Sequence, residues 1–346
     1  MPKKRIYTYD FMRAVAIIMV VAVHCIPEGQ SDAARIYAAF MKALLFPCNA
    51  VFFLLSGMFN LKAAYLDRLP NYYLRKVRNI LIPALIYMLI NTIYDSIRQP
   101  GPVHPEMIVP SFFVNAFSFY SNGIFWFVMA IFGMLLIAPF FAQSFEYMGK
   151  RAARSLFIIF GLFSGMNLVG VLSGSGFAWS WPISAFFTLF LMGPAVSRIK
   201  ISRGTFPMIS FGTCVTISTV LILCGVPHHP VNDNTPFYFI AGISLFILLQ
   251  LFGSRMKENR AIDLLSKYSF SIYMCHLMIL PFVAAIVPPM TKPLAQLIMT
   301  AITLADALAA SLAIDNLLVH PAQRLLDKAF SHARQNVQAD TSSPRQ

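Results

Sequence analysis

Residues 9–26 read Tyr-Asp-Phe-Met-Arg-Ala-Val-Ala-Ile-Ile-Met-Val-Val-Ala-Val-His-Cys-Ile, a stretch long and apolar enough to cross a bilayer that nevertheless holds Asp10, Arg13 and His24. In a helix turning about 100° per residue, Arg13 and His24 differ by roughly 20° in azimuth, and Asp10 lies within about 60° of both. All three therefore share one stripe, with His24 about 16 Å along the axis from Arg13. An ionised side chain near mid-bilayer costs on the order of 2.5–3.5 kcal/mol, so such a stripe faces a protein interior or a wet cavity. Asp10 and Arg13 also suit an i,i+3 ion pair at the rim, or Asp10 a place in the first turn beside the helix dipole. His24, deeper in the apolar run, is the stronger candidate for chemistry.

Further apolar runs follow. Windows of 17–25 residues give roughly ten membrane spans: 9–26, 39–61, 79–97, 124–142, 156–173, 177–196, 206–226, 236–253, 269–287 and 294–319. With 58% hydrophobic and 12% charged residues over 346 positions, a soluble domain could not bury so much apolar surface. The expected fold is all-α, a polytopic membrane protein. Segment 108–122 is too short and polar to cross and is expected in the interface. Residues 1–331 form the membrane domain; 332–346 are a polar tail, expected to be disordered.

The net charge of +13 invites a nucleic-acid reading until the charges are placed. With a cytoplasmic N-terminus, inner segments take Lys3, Lys4, Arg5, Lys62, Arg68, Arg75, Lys76, Arg78, Lys150, Arg151 and Arg154, and later Arg198, Lys200, Arg203, Arg255, Lys257, Arg260, Lys267, Arg324, Lys328, Arg334 and Arg345. Outer segments keep Arg35, Lys42, Arg98 and Lys292. That asymmetry is the positive-inside pattern of an even number of spans with both termini in the cytoplasm. Topology accounts for the charge, and nucleic acid is excluded as a partner. Lys3-Lys4-Arg5 before an apolar run reads as a retained signal anchor. Cys25, Cys48, Cys214, Cys224 and Cys275 are odd in number and lack CxxC spacing, so neither disulfides nor a metal site are expected. His228, His229 and Asp233 read as a solvated loop.

Two later stretches carry chemistry. Arg75-Lys76-Val-Arg78 enters the third span, and its i,i+3 arginines suit phosphate. Ser266-Lys-Tyr-Ser-Phe-Ser-Ile-Tyr273-Met-Cys-His276 opens the ninth, where a histidine inside an apolar helix needs a partner. Counted outward from the turn near Pro288-Pro289, Asp306 lies as far along its helix as His276 does, so these two are expected to pair.

These stretches resemble the acyltransferase-3 family of bacterial inner-membrane enzymes. Arg13 and His24 match its Arg, ten residues, His pattern in the first span. Phe52-Phe53-Leu-Leu-Ser56-Gly57 matches Phe-Phe-x-x-Ser-Gly, Arg75 and Arg78 match Arg-x-x-Arg, and Ser269 through His276 match Ser-x-x-Ile-Tyr-x-x-His. Two positions depart: Ile124-Phe125-Trp126-Phe127 lacks a frequent histidine, and His320-Pro321 stands where Glu-Pro is common. The resemblance implies polysaccharide O-acetylation: a short acyl group, most often acetyl, moves from cytoplasmic acyl-coenzyme A to a glycan or lipid-linked sugar hydroxyl.

On that reading acyl-CoA (acetyl-CoA) is a co-substrate, no cofactor is permanently bound, and the partners are the bilayer, the donor and the glycan, with homo-oligomers left open. Arg75, Arg78 and Lys76 hold phosphates. His24 acts with Asp10 and Arg13, as general base or as a transient acyl-histidine. Ser56, Trp126, Tyr273, His276 and Asp306 line or support the cavity. Trp179 and Trp181 suit the aromatic belt. The competing class is a secondary transporter or polysaccharide exporter using the same intramembrane Asp, Arg and His. Paired Gly/Pro-interrupted segments in matching halves, which such transporters show, are missing from the sequence.

Overall fold

The computed structural model describes residues 6–27, 29–99, 104–117, 124–173, 185–199, 203–226, 235–288 and 292–342, with the backbone alone at 145–150, 152–153, 167, 171 and 332–342. Every regular element among them is helical. A helix satisfies its own N–H and C=O groups where lipid offers no partner. Lys3–Arg5, Trp179, Trp181, His228, His229 and Asp233 lie outside the described residues.

Helix α1 (Tyr7–His24) grows from a run without Gly or Pro and stops ahead of Pro27. Pro47 splits the next span into α2 (Asp32–Leu45) and α3 (Cys48–Asn60), and the Ser31 side chain caps α2 by accepting from the Ala34 N–H. Helix α4 (Leu69–Lys76) passes through a π-helical turn, Val77–Leu81, into α5 (Ile82–Arg98). Then come α6 (Pro105–Phe117), α7 (Phe125–Leu172), α8 (Ala185–Val196), α9 (Thr205–Leu223), α10 (Pro236–Gly253) and α11 (Arg260–Ile286). Helix α12 (Lys292–Ile314) crosses a second π-helical turn, Asp315–Val319, into α13 (His320–Ser342). The polar tail thus continues α13 as helix to Ser342.

Each π turn ends two residues before a proline, Pro83 or Pro321. Proline cannot donate its i→i−4 bond and its ring presses on that carbonyl, so local widening of the helix relieves both. The two turns carry Arg78 and Asp315, so the prolines help to set where those side chains point.

Among the described residues, eight helices or joined helical runs are long and apolar enough to cross a membrane, which makes this a polytopic membrane protein. They coincide with eight of the ten expected spans. The other two differ. Expected span 156–173 is, up to Leu172, the second half of α7, a single helix of 48 residues that also takes in 125–142 of the span expected at 124–142. The linker expected there, Gln143 to Ser155, has no proline, and its Glu146, Met148, Ala152 and Ala153 favour helix. Of 177–196 the described part is the shorter apolar helix Ala185–Val196. Of segment 108–122, expected in the interface, residues 108–117 fall on α6, a 13-residue helix packed on α5, and 118–122 lie outside the described residues.

Helix α11 sits at the centre, against α1, α5 and α12. Helix α3 packs on α1 and is crossed by α8 at unusually close range. A Cβ added at Gly57 would lie 1.7 Å from the Phe190 carbonyl oxygen, and one at Gly193 would lie 2.2 Å from that of Leu54. Membrane helices that approach backbone to backbone use glycine at the crossing. This crossing places Phe52, Ser56 and Asn60 toward α1 and α11.

Candidate active site

The shared stripe of α1 faces α11. At its lower end Asp10, 4% exposed, accepts from the Ser266 hydroxyl at 2.7 Å and pairs with Arg13 at 3.5 Å. Arg13 also lies over the Phe59 ring, 5.0 Å from its centroid. Fourteen residues of rise place His24 about 21 Å from Asp10. Asp10, expected to act with His24, is out of its reach and instead orients Arg13 and ties α1 to α11.

Above this floor a cavity of about 190 Å³ opens between α1, α3, the first π turn, α7 and α11, with Arg13, Ser56, Asn60, Ser269 and Tyr273 among its polar walls and Phe52 and Phe127 among its apolar ones. Lys76 donates to the Asn60 side-chain oxygen and lies 4.8 Å from the Tyr72 ring centroid. Asn60 in turn donates to the Ser56 carbonyl at 2.8 Å. Arg13 and Lys76 therefore put two cationic groups at the same end of the cavity, one directly and one through Asn60.

Arg75 and Arg78 flank that end without converging on it. The π turn interrupts the i,i+3 geometry expected of them. Arg75 is exposed over Tyr65, its guanidinium carbon 5.7 Å from the ring centroid. Arg78 donates to Asp327 on α13 at 3.0 Å and to Asn79 at 3.0 Å, while Gln323 donates to the Arg78 carbonyl at 2.9 Å. Helix α13 thus fastens onto the π turn. Asp327 sets the Arg78 guanidinium, an arrangement the sequence spacing alone did not suggest.

At the other end the Tyr273 hydroxyl donates to the Ile124 carbonyl at 3.1 Å, and its ring stands 4.8 Å from that of Phe127. One turn further along α11 is His276, 0% exposed, whose Nδ1 donates to the Tyr273 carbonyl at 2.7 Å. The His24 ring is exposed at the last position of α1, with its centroid 5.2 Å from that of His276. His24 is not among the cavity walls; the Tyr273 wall connects to it through His276, whose ring lies 5.8 Å from that of Tyr273. The wet cavity expected along the stripe therefore reaches Tyr273 but does not include His24.

Two expectations need correction. Asp306 is exposed and does not partner His276. Equal height on antiparallel helices does not fix azimuth. The buried stripe of α12 runs through Gln296, Thr300, Thr303, Ala307 and Ser311, and Asp306 points about 100° away from its centre. The carboxylate that does face α11 is Asp315, in the second π turn, which accepts from Ser271 at 2.7 Å and Tyr87 at 2.9 Å. Trp126, expected to line the cavity, packs on Phe186 at 5.1 Å; its neighbour Phe127 takes that place. Among the described residues no three His, Cys, Asp or Glu side chains gather as a metal site.

The fold and the site define a membrane-embedded helical bundle with a cation-floored cavity and an accessible histidine. The acyltransferase-3 family model, an acyltransferase domain, matches residues 6–312, and the chain belongs to this family of membrane acyltransferases. No curated protein and no solved structure matches the chain.

Proposed function

We propose that this protein moves a short acyl group, acetyl in the simplest case, from cytoplasmic acyl-coenzyme A to a hydroxyl of a cell-surface or lipid-linked glycan at the bacterial inner membrane. The observation that carries this reading is the line from Arg13 and Lys76 through the cavity to Tyr273, His276 and His24. Phosphates of the donor rest at the basic end, which faces the cytoplasm, on Arg13, Lys76, Arg75 and Arg78. The pantetheine arm is narrow and flexible enough to lie along the cavity and pass the Tyr273–Phe127 pair. His24 takes the proton of the acceptor hydroxyl as the oxygen attacks the thioester carbon. The carbon–sulfur bond breaks, and the departing thiolate recovers that proton from His24.

The test uses purified protein in liposomes with acetyl-CoA and a glycolipid extract of the host membrane. Thiol release that depends on both, with one acyl mass gained by a glycolipid, supports the reading. Counter-transport of solute without thiol release would replace it with the transporter class.

Two results follow at once. Lys76→Ala and Arg13→Ala should each raise the KM for acetyl-CoA about tenfold, the scale of one charge-assisted phosphate contact, with kcat nearly unchanged. Donor titrations that superimpose on the wild type would make these cations purely topological. Tyr273→Trp should obstruct passage between cavity and His24, lowering kcat at least tenfold while donor binding persists. An unchanged kcat would mean that the thioester reaches His24 by another route.

A further inference from the structure

The His276 Nε2 is enclosed and has no hydrogen-bond partner among the described residues. Its protonation state is fixed by its neighbour. A carbonyl oxygen only accepts, so Nδ1, 2.7 Å from the Tyr273 carbonyl, carries the proton. A second proton on Nε2 would make a fully enclosed cation. Nε2 is therefore a lone pair in a dry place, and an unmet acceptor there is costly.

We propose that His276 is a positioning residue for His24: its enclosed Nε2 accepts the N–H of His24 and so decides which His24 nitrogen is left to meet the acceptor hydroxyl. Distance carries the argument. A head-on N–H···N bond of about 2.9 Å between two imidazoles, each nitrogen about 1.1 Å from its ring centre, separates the centroids by roughly 5.1 Å. The observed separation is 5.2 Å, with the ring planes at 48°. Nε2 holds no hydrogen bond among the described residues, so the bond forms when the His24 ring turns about its Cβ–Cγ bond, which leaves its centroid nearly in place. Rotation about the hydrogen-bond axis does not change that distance, so the tilt is compatible. His24 is exposed at the end of α1 and free to turn about its Cβ–Cγ bond; His276 is enclosed and held by Tyr273. One ring is fixed and the other is accessible.

The division of labour follows from that contrast. With one nitrogen donating to His276, the other presents its lone pair outward. When His24 gains the hydroxyl proton, the resulting cation keeps an acceptor beside it. His276 touches neither donor nor glycan. This inference rests on the acyl-transfer reading for its consequence, though not for its geometry.

Two readouts separate the two claims. In protein labelled with nitrogen-15 histidine and held in nanodiscs, the His276 Nε2 resonance should shift when His24→Ala is introduced, while Nδ1 stays protonated. An unmoved Nε2 resonance overturns the pairing, whatever the enzyme does. In the liposome assay, His276→Phe should lower kcat roughly 100-fold with the KM for acetyl-CoA unchanged. His276→Gln places an acceptor oxygen near the Nε2 position and should recover most of that loss. Equal activity of the Phe and Gln variants overturns the positioning role. Should His276→Phe fail to fold, the nitrogen resonance in the His24→Ala protein still decides. Absence of thiol release in the wild type would remove the acyl-transfer reading and leave the histidine pair standing.

Discussion

His24→Ala lowers kcat for acyl transfer by about 100- to 10,000-fold, the usual contribution of a general base, and leaves the KM for acetyl-CoA within about twofold. The reason lies in where the ring stands. It is exposed at the final residue of α1, so its loss opens no cavity in the core, and thermal stability in detergent should hold within a few degrees. On the proposed reading the donor's phosphates rest near Arg13, about 16 Å along the helix, so donor affinity should not depend on it. His320→Ala provides the comparison. That histidine is half-buried beyond the second π turn, contacts Asn316 at 3.2 Å and is not among the cavity walls, and its replacement should leave kcat unchanged. Initial rates over a range of acetyl-CoA concentrations separate the outcomes, and a His24→Ala protein as active as the wild type would remove His24 from the reaction.

Helix periodicity made much of this arrangement legible in advance, and its failures share a cause. Hydropathy located the helices because lipid demands long apolar runs. The stripe of Asp10, Arg13 and His24 emerged from angle alone, and it does face α11: Asp10 meets Ser266 and His24 meets His276. Which partner faces a helix is harder to foresee. Height alone matches Asp306 to His276, yet the buried face of α12 carries Gln296, Thr300, Thr303, Ser311 and, past the helix end, Asp315. Those polar residues recur at spacings of three, four and eight. On an otherwise apolar helix that periodicity marks the protein-facing side, a signal present in the sequence that pointed to Asp315. The separation of Arg75 from Arg78 was less accessible. It depends on a π turn, whose only trace is Pro83 ahead of it. The role of Asp327 required knowing that α13 returns to the basic end. The continuity of α7 likewise depends on a linker whose residues favour helix despite their charge.

Replacing Gly57 with alanine is the change expected to do most damage to the fold. The added Cβ would sit 1.7 Å from the Phe190 carbonyl oxygen, where carbon–oxygen contacts ordinarily begin near about 3.3 Å. Neither atom belongs to a side chain that can rotate away, so α3 and α8 must part by roughly 1.5 Å. Gly193 holds the reciprocal position, its own Cβ site 2.2 Å from the Leu54 carbonyl oxygen and 2.6 Å from the Met58 nitrogen. Separation at one glycine therefore loosens packing at the other. The cost should reach or exceed about 3 kcal/mol, the upper end for overpacking of side chains, because backbone must move. Function suffers with it. Ser56 precedes Gly57, and Asn60, which receives Lys76, follows within one turn; a displaced α3 carries both away from Arg13. The Ser-Gly pair of the second span thus joins two needs in adjacent residues, a polar cavity wall and a close helix crossing. Gly133→Ala offers the control, since a Cβ there meets nothing within 4 Å. Thermal melts of both variants in the same detergent should show Gly57→Ala unfolding far below the wild type and Gly133→Ala beside it. A Gly57→Ala protein that melts with the wild type and retains its donor affinity would mean that α3 and α8 do not cross at this range.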